Sequence, residues 1–489
     1  MDKTFKMVGK TIQKNKIWFK PLKRIRNGEY QHIFWLGING FVIVNRKDKE
    51  VLVVDPWPSH CSYWINQLPK PANRFVDARL LDNDAKKGKK RLEELATFLR
   101  NAVSEGYSLS GILLSHMHFD HSDDVVYLLE LLVAGWGPYT NHKDLHFEVS
   151  GPPVPTDKLP TICCDFDSMV YLKTRYFRVD KNSMSLPSDY WKGKATQKKQ
   201  LSNLKPFQLL PTWQTLKDHY VNTAAAWKEI VDANGKRMYY DDTYNANHRP
   251  ALKAGAAAKL FNLGNFTIKP YVWDHMRTGL GSKSKNALPG QQAGHLQRIS
   301  AFLFWRRGVK GAKRTFIVGS AGEMSKRYTS ALVANPGTIK TDVLIHAAAG
   351  KQLSIFDYKT SIADSMKCLL QHIDVKDCLV FCHWEEFVRY VTNEKSFKKQ
   401  FKERIVYCCN KLNAIATYPT LYGAKVTSNN KTILEKLRVM GRRAFDFEFP
   451  MPTSPSEFCK EARNQDKLYQ YGALTPEEIW DEDFPGLFS

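Results

Sequence analysis

Ser115-His116-Met117-His118-Phe119-Asp120-His121 is the stretch on which the reading of this chain turns. The apolar run Gly111-Ile112-Leu113-Leu114 leads into it, and Val125, Val126, Leu128, Leu129, Leu132 and Val133 follow at helical spacing. The polar residues therefore occupy a turn between a buried strand and a buried helix, where a rigid scaffold can converge side chains. Leaving the strand, His116 and His118 can point to the same side and hold one cation. Asp120 and His121 open the helix, project to the adjacent side and suit a second. Imidazole and carboxylate donors favour zinc, with iron or manganese next, over calcium or magnesium.

Outward from the turn, the pattern alternates strands with helices. Ile33–Leu36, Phe41–Val44 and Val51–Val54 read as strands, the last ending in Asp55-Pro56. An acidic residue at that place is expected to hydrogen-bond a metal-binding loop from behind. Residues 91–105 carry Leu92, Leu95, Ala96, Leu99 and Val103 on one helical face, with Gly106 placed as a C-cap. Strands return at Phe266–Val272, Ile299–Trp305, Thr315–Val318, Asp342–Ile345 and 378–382. Several of them run into His275, into Gly319-Ser320-Ala321-Gly322, into His346 or into His383-Trp384. Strand ends are where sites assemble in layered α/β folds.

Three further regions frame this core. Residues 1–30 form a basic arm or a first edge strand. The stretch from about 138 to 260 reads as an insertion over one rim of the sheet, helical at Thr223–Ala233. Residues 401–489 read as a helical C-terminal extension that docks on the core or on a second subunit, and so offers a route to oligomers.

Taken in order, the Asp55-Pro56 strand end, the HxHxDH turn, His275, the Gly319–Gly322 turn and His383 resemble the metallo-β-lactamase superfamily, in its lactonase-like branch. The resemblance covers roughly residues 30 to 390, leaving the insertion and the tail unmatched, and the domain that carries it is read as 31–400. It implies an α/β fold, an αββα sandwich with a metal site along one edge. One divalent ion would be held by His116, His118 and His275, and a second by Asp120, His121 and His383. His295 competes with His275, but a histidine ending a strand suits the site better. Many members of the superfamily write the later turn Gly-Asp-x-Gly, its aspartate bridging two metals; here Ser320 stands in that place, which weakens the case for two ions over one. Asp55, Ser320, His346 and Trp384 are candidates for the surroundings of the site, as are Asp123, Asp124 and Asp274.

The implied activity is hydrolysis by metal-activated water, with Asp120 orienting the water or accepting its proton. No GxSxG motif supports a covalent route. The excess of 72 Lys and Arg over 49 acidic residues, a net +23, favours an anionic substrate, and a lactone, ester or amide is expected. A phosphodiesterase or nuclease on the same fold is the alternative, though no compact basic-aromatic stretch supports nucleic-acid binding. A non-catalytic binding protein is the third reading, supported by Ser320 alone. Nine cysteines without a CxxC pair, a charged N-terminus without an apolar core and the absence of an eighteen-residue apolar run point to a cytoplasmic chain off the membrane.

Overall fold

A computed structural model describes residues 18–20, 24–27, 31–36, 40–56, 78–117, 119–122, 124–134, 147–177, 179–180, 183–188, 190, 213–238, 258–274, 298–319, 339–347, 372–382, 414–417 and 451–458. Two β-sheets lie face to face. The first holds β2 (Arg24–Asn27), β3 (Gln31–Trp35), β4 (Phe41–Asn45), β5 (Glu50–Val54), β6 (Ser108–Leu113), β7 (Thr161–Cys164) and β8 (Trp227–Glu229), in that spatial order. The second runs in the order β1 (Trp18–Lys20), β15 (Ala414–Thr417), β14 (Ile373–Cys382), β13 (Ile339–Ala347), β12 (Arg314–Val318), β11 (Arg298–Arg306), β10 (Phe266–Asp274) and β9 (Phe261–Leu263).

Period-two alternation divides the central strands of the first sheet between two cores. Phe41 and Ile43 of β4, Leu52 and Val54 of β5, Leu113 and Cys163 pack toward the second sheet, against Phe266, Ile268, Phe302, Phe304, Ile317, Val343 and Ile345. Their neighbours Val42, Val44, Val51, Val53, Ile112 and Cys164 turn the other way, into a core shared with helices. These helices are α1 (Ala78–Ser104), α3 (Asp124–Ala134), α4 (Phe166–Arg175) and α5 (Trp213–Asn222); the short α2 (Phe119–Ser122) precedes α3. On the second sheet, Phe316, Val318 and Leu344 alternate with the inter-sheet residues and are buried too, so the outer face of β12 and β13 is covered around these residues. The α/β class and the sandwiched sheets agree with what the resemblance implies.

Helix α1 starts well before residue 91 and buries Leu92, Leu95, Ala96, Phe98, Leu99 and Ala102. It ends at Gly106, whose φ of +79° lets the Tyr107 amide reach back to the Ala102 carbonyl at 2.8 Å. Arg100 on the same helix donates from Nε to the Leu132 carbonyl at 3.1 Å and so ties down the end of α3.

Two readings of the sequence change. Residues 223–233 form no α-helix: α5 stops at Asn222, a single 3₁₀ turn covers Ala224–Ala226, and Trp227–Glu229 is strand β8. The alanines favour helix, but pairing of β8 alongside β7 and packing of Trp227 on Tyr220 and Phe177 override that weak local preference. The stretch 138–260 also does more than cover a rim, since β7 and β8 widen the first sheet by two strands. Four residues of the C-terminal stretch form β15 inside the second sheet. A later segment docks on α1: Phe458 is buried against His32, Phe34 and Phe98, and Asn101 Nδ2 donates to the Thr453 carbonyl at 2.9 Å. Among the described residues no helix is long and apolar enough to cross a membrane.

Candidate metal centre

Strand direction brings the chemistry to one edge. Strands β5, β6 and β7 are mutually parallel, so Asp55 and Ser115 follow two adjacent strands on the same side. In the second sheet β10, β12, β13 and β14 also share a direction, because β11 runs antiparallel to both of its neighbours. Two contacts show that these ends meet. The Ser300 amide at the start of β11 donates to the Ser115 carbonyl at 2.8 Å. Gly319, directly after β12, approaches so closely that an added Cβ would lie 3.0 Å from Asp55 Oδ2 and 4.0 Å from His121 Cε1.

At the centre is a buried hydrogen-bond network. Asp55 is fully buried and holds a left-handed backbone conformation, φ +43°, which aspartate tolerates better than most residues. Its amide donates to the Leu113 carbonyl at 2.9 Å. Its Oδ1 accepts from the Ser115 amide at 2.7 Å, and its Oδ2 from Ser115 Oγ at 2.6 Å. The same Oδ2 lies 2.8 Å from His121 Nδ1, and Ser115 Oγ lies 2.9 Å from His116 Nδ1.

Counting protons in this network assigns both imidazoles. A carboxylate only accepts, so His121 carries its proton on Nδ1 and gives it to Asp55. Ser115 has one hydroxyl proton, engaged with Asp55, so its oxygen accepts from His116 Nδ1. With each ring in the neutral form that metal ligation requires, Nε2 would carry the lone pair a metal takes, while Nδ1 is engaged by a hydrogen bond, as in metal-ligating histidines. The two rings lie 4.2 Å apart between centroids, tilted by 48°, and both residues are buried. This donor set fits a divalent metal.

The structure places the other sequence candidates unevenly. Asp120 falls in α2, beside His121. Asp274 ends β10 next to His275, Gly319 precedes Ser320, and Cys382 ends β14 before His383, each at the strand end on this edge. The placements of His118, His275, Ser320, His383 and Trp384, and the side chain of Asp120, lie outside the described residues. Among the described residues no three His, Cys, Asp or Glu side chains gather as a metal group. His346 is buried near the end of β13, paired in register with Val318 and Phe381. Alternation puts it on the face away from the inter-sheet core that holds Val343 and Ile345.

For Ser115 and Gly319 the sequence reading named the stretch and the turn but not the part each residue plays at this edge. A serine before a histidine reads as an ordinary turn residue, and its role depends on an aspartate 60 positions away. Gly319 carried a weak signal as a glycine ending a strand, where a close approach of another chain is common.

Comparison with known proteins finds no matching family model and no matching curated protein. Solved structures similar to this chain include unliganded yeast PDE1, with a TM-score of 0.35, 11% identity, and coverage of 79% of this chain and 94% of that one. They also include MEM-A1, a subclass B3 metallo-β-lactamase from a soil metagenome library, with a TM-score of 0.26, 10% identity, and coverage of 93% and 100%. The metallo-β-lactamase SMB-1 has a TM-score of 0.26, 10% identity, and coverage of 80% and 90%. Likenesses this remote carry no weight here; the fold rests on the strand order and the site on its geometry.

Proposed function

We propose that this chain is a metal-dependent hydrolase acting on a small or medium anionic lactone, ester or amide. The observation that carries the reading is the Asp55–Ser115 network, which presents Nε2 of both His116 and His121 from one buried turn. Completing the set, His116, His118 and His275 would hold one divalent ion, and Asp120, His121 and His383 a second, with zinc best suited to the donors. Such an ion supplies a water nucleophile at neutral pH and a Lewis acid for the substrate oxygen.

The remaining work falls to the protein. Asp55 keeps the His121 proton on Nδ1 and would offset positive charge delivered to that ring. Ser115 passes the same constraint to His116, so one carboxylate orients two imidazoles. Asp120 would take the proton released by the attacking water. Burial of the network keeps bulk water from competing for these hydrogen bonds, which strengthens them in the low local dielectric.

Parallel assays of a generic lactone, a generic ester and bis-(4-nitrophenyl) phosphate test the reading. Turnover of the lactone or ester, abolished by His116→Ala, is expected. Turnover of the phosphodiester alone would move the chain to the alternative class, and activity retained by His116→Ala would remove the site from the turn.

A further inference from the structure

A second concave site lies at the other end of the second sheet, where β12, β13 and β14 begin. It is a cavity of about 280 Å³ beside the β11–β12 hairpin, whose turn glycines Gly308 and Gly311 take left-handed φ values of +69° and +72°. Trp305, Arg314, Lys340, Asp374 and Lys376 line it. Alternation puts Trp305, Arg314 and Lys340 on the face away from the other sheet, since Phe304 beside Trp305 is an inter-sheet residue, Arg314 pairs with Trp305, and Lys340 stands an odd number of positions from the inter-sheet Val343.

The charges there are unequal. Asp342 also lines the cavity, but both its oxygens are engaged: Oδ1 accepts from Lys313 Nζ and Oδ2 from the Arg314 amide, each at 2.8 Å. In all, Lys313, Arg314, Lys340 and Lys376 line the cavity with Asp342 and Asp374, four cations to two carboxylates, and Arg314, Lys340, Asp374 and Lys376 are exposed. The Arg314 guanidinium lies 5.2 Å over the Trp305 ring, and the two residues face each other across the β11–β12 pair. An arginine lying over an indole can present its outer face as a platform on which a planar ring stacks. The neighbouring ammonium groups suit a phosphate as point charges.

We infer that this cavity binds a small phosphorylated ligand with a planar ring, of the nucleotide class, at a site separate from the metal edge. Its volume sits at the small end of ligand pockets, which run from roughly 300 Å³ upward, and so favours a free mononucleotide over a strand. The ring would lie on Arg314 and the phosphate between Lys340 and Lys376.

Calorimetric titration of the full chain with AMP, ribose 5-phosphate and a short oligothymidylate tests this. AMP should bind, and Lys340→Glu with Lys376→Glu should weaken it by about tenfold or more, as expected for phosphate-facing charges. Both residues are exposed strand positions, and the milder pair Lys340→Gln with Lys376→Gln gives the same test should charge reversal disturb folding. Arg314→Lys keeps the charge and removes the platform, so it should erase the preference for AMP over ribose 5-phosphate. AMP affinity equal in wild type and lysine variants, no AMP binding, or binding of the oligonucleotide alone would each overturn the inference.

Discussion

The Asp55 carboxylate and the His121 imidazole meet at 2.8 Å, Oδ2 to Nδ1, with both side chains closed to solvent. They come from different strand ends, 66 positions apart in the chain. Ser115 binds the same carboxylate and hands its constraint to His116, so the orientation of both imidazoles depends on one buried acid.

Replacing Asp55 with Asn keeps the shape but removes the charge and half of the accepting capacity. His121 then loses its fixed tautomer. Metal affinity should fall by about 10- to 100-fold, the usual cost of losing the partner of a ligating histidine. Mispairing the Ser115 donors should lower stability by about 1–3 kcal/mol. Competition with a chromogenic chelator and urea unfolding measure the two effects; unchanged affinity would show that the acid does not orient the ring.

Gly319→Ala should act on the site and spare the scaffold. Its methyl would press on Asp55 Oδ2 at 3.0 Å and force the carboxylate or the strand end to shift by a few tenths of an ångström. Displacing a positioning group costs rate more than stability, so kcat/KM should drop by about tenfold while Tm changes little. Equal loss of both would point to a purely structural role for the glycine.

How far the sequence reached can be judged from particular residues. Alternating apolar runs announced β4 and β5, and Gly106 announced the end of α1, because local rules govern strands and helix caps. His116 and His121 stood out because three histidines and an aspartate so close together have few structural uses. The contacts of Ser115 and Gly319 with Asp55 were not legible, because they exist only where distant strand ends meet. Strand β8 was misread because pairing with β7 outweighed alanine propensity, and the docking of Phe458 on Phe98 joins segments 360 positions apart.

Two neighbouring carboxylates should answer acid in opposite ways. Hydrogen bonding and charge from Arg306, bound at 2.6 and 2.7 Å, hold Asp48 below its ordinary 3.8. Its contribution is present above that value and is lost as pH falls through the lowered one. Burial pushes Glu50 above its ordinary 4.5, although it accepts from the Asn265 amide at 2.9 Å. Its contribution is complete below 4.5 and is lost as pH rises through the raised value. Urea unfolding from about pH 3 to 7 should show the advantage of wild type over Asp48→Asn shrinking on acidification, and that over Glu50→Gln growing. A wild-type advantage over Asp48→Asn that grew in acid would refute the assignment.

Phe458→Ala should destabilise the core between α1 and the first sheet. The ring is 2% exposed and meets Phe34, Phe98 and His32 edge-on. Removing a buried phenyl costs about 3–5 kcal/mol, read as a lower urea midpoint. An unchanged midpoint would mean that this C-terminal segment adds nothing to the fold.

Metal content tests the central reading most directly. Elemental analysis of the native protein should find at least one equivalent of zinc, iron or manganese per chain, with a thermal midpoint that drops on chelation and a content that drops in His116→Ala. A natively folded, metal-free protein whose melting ignores chelators would contradict it.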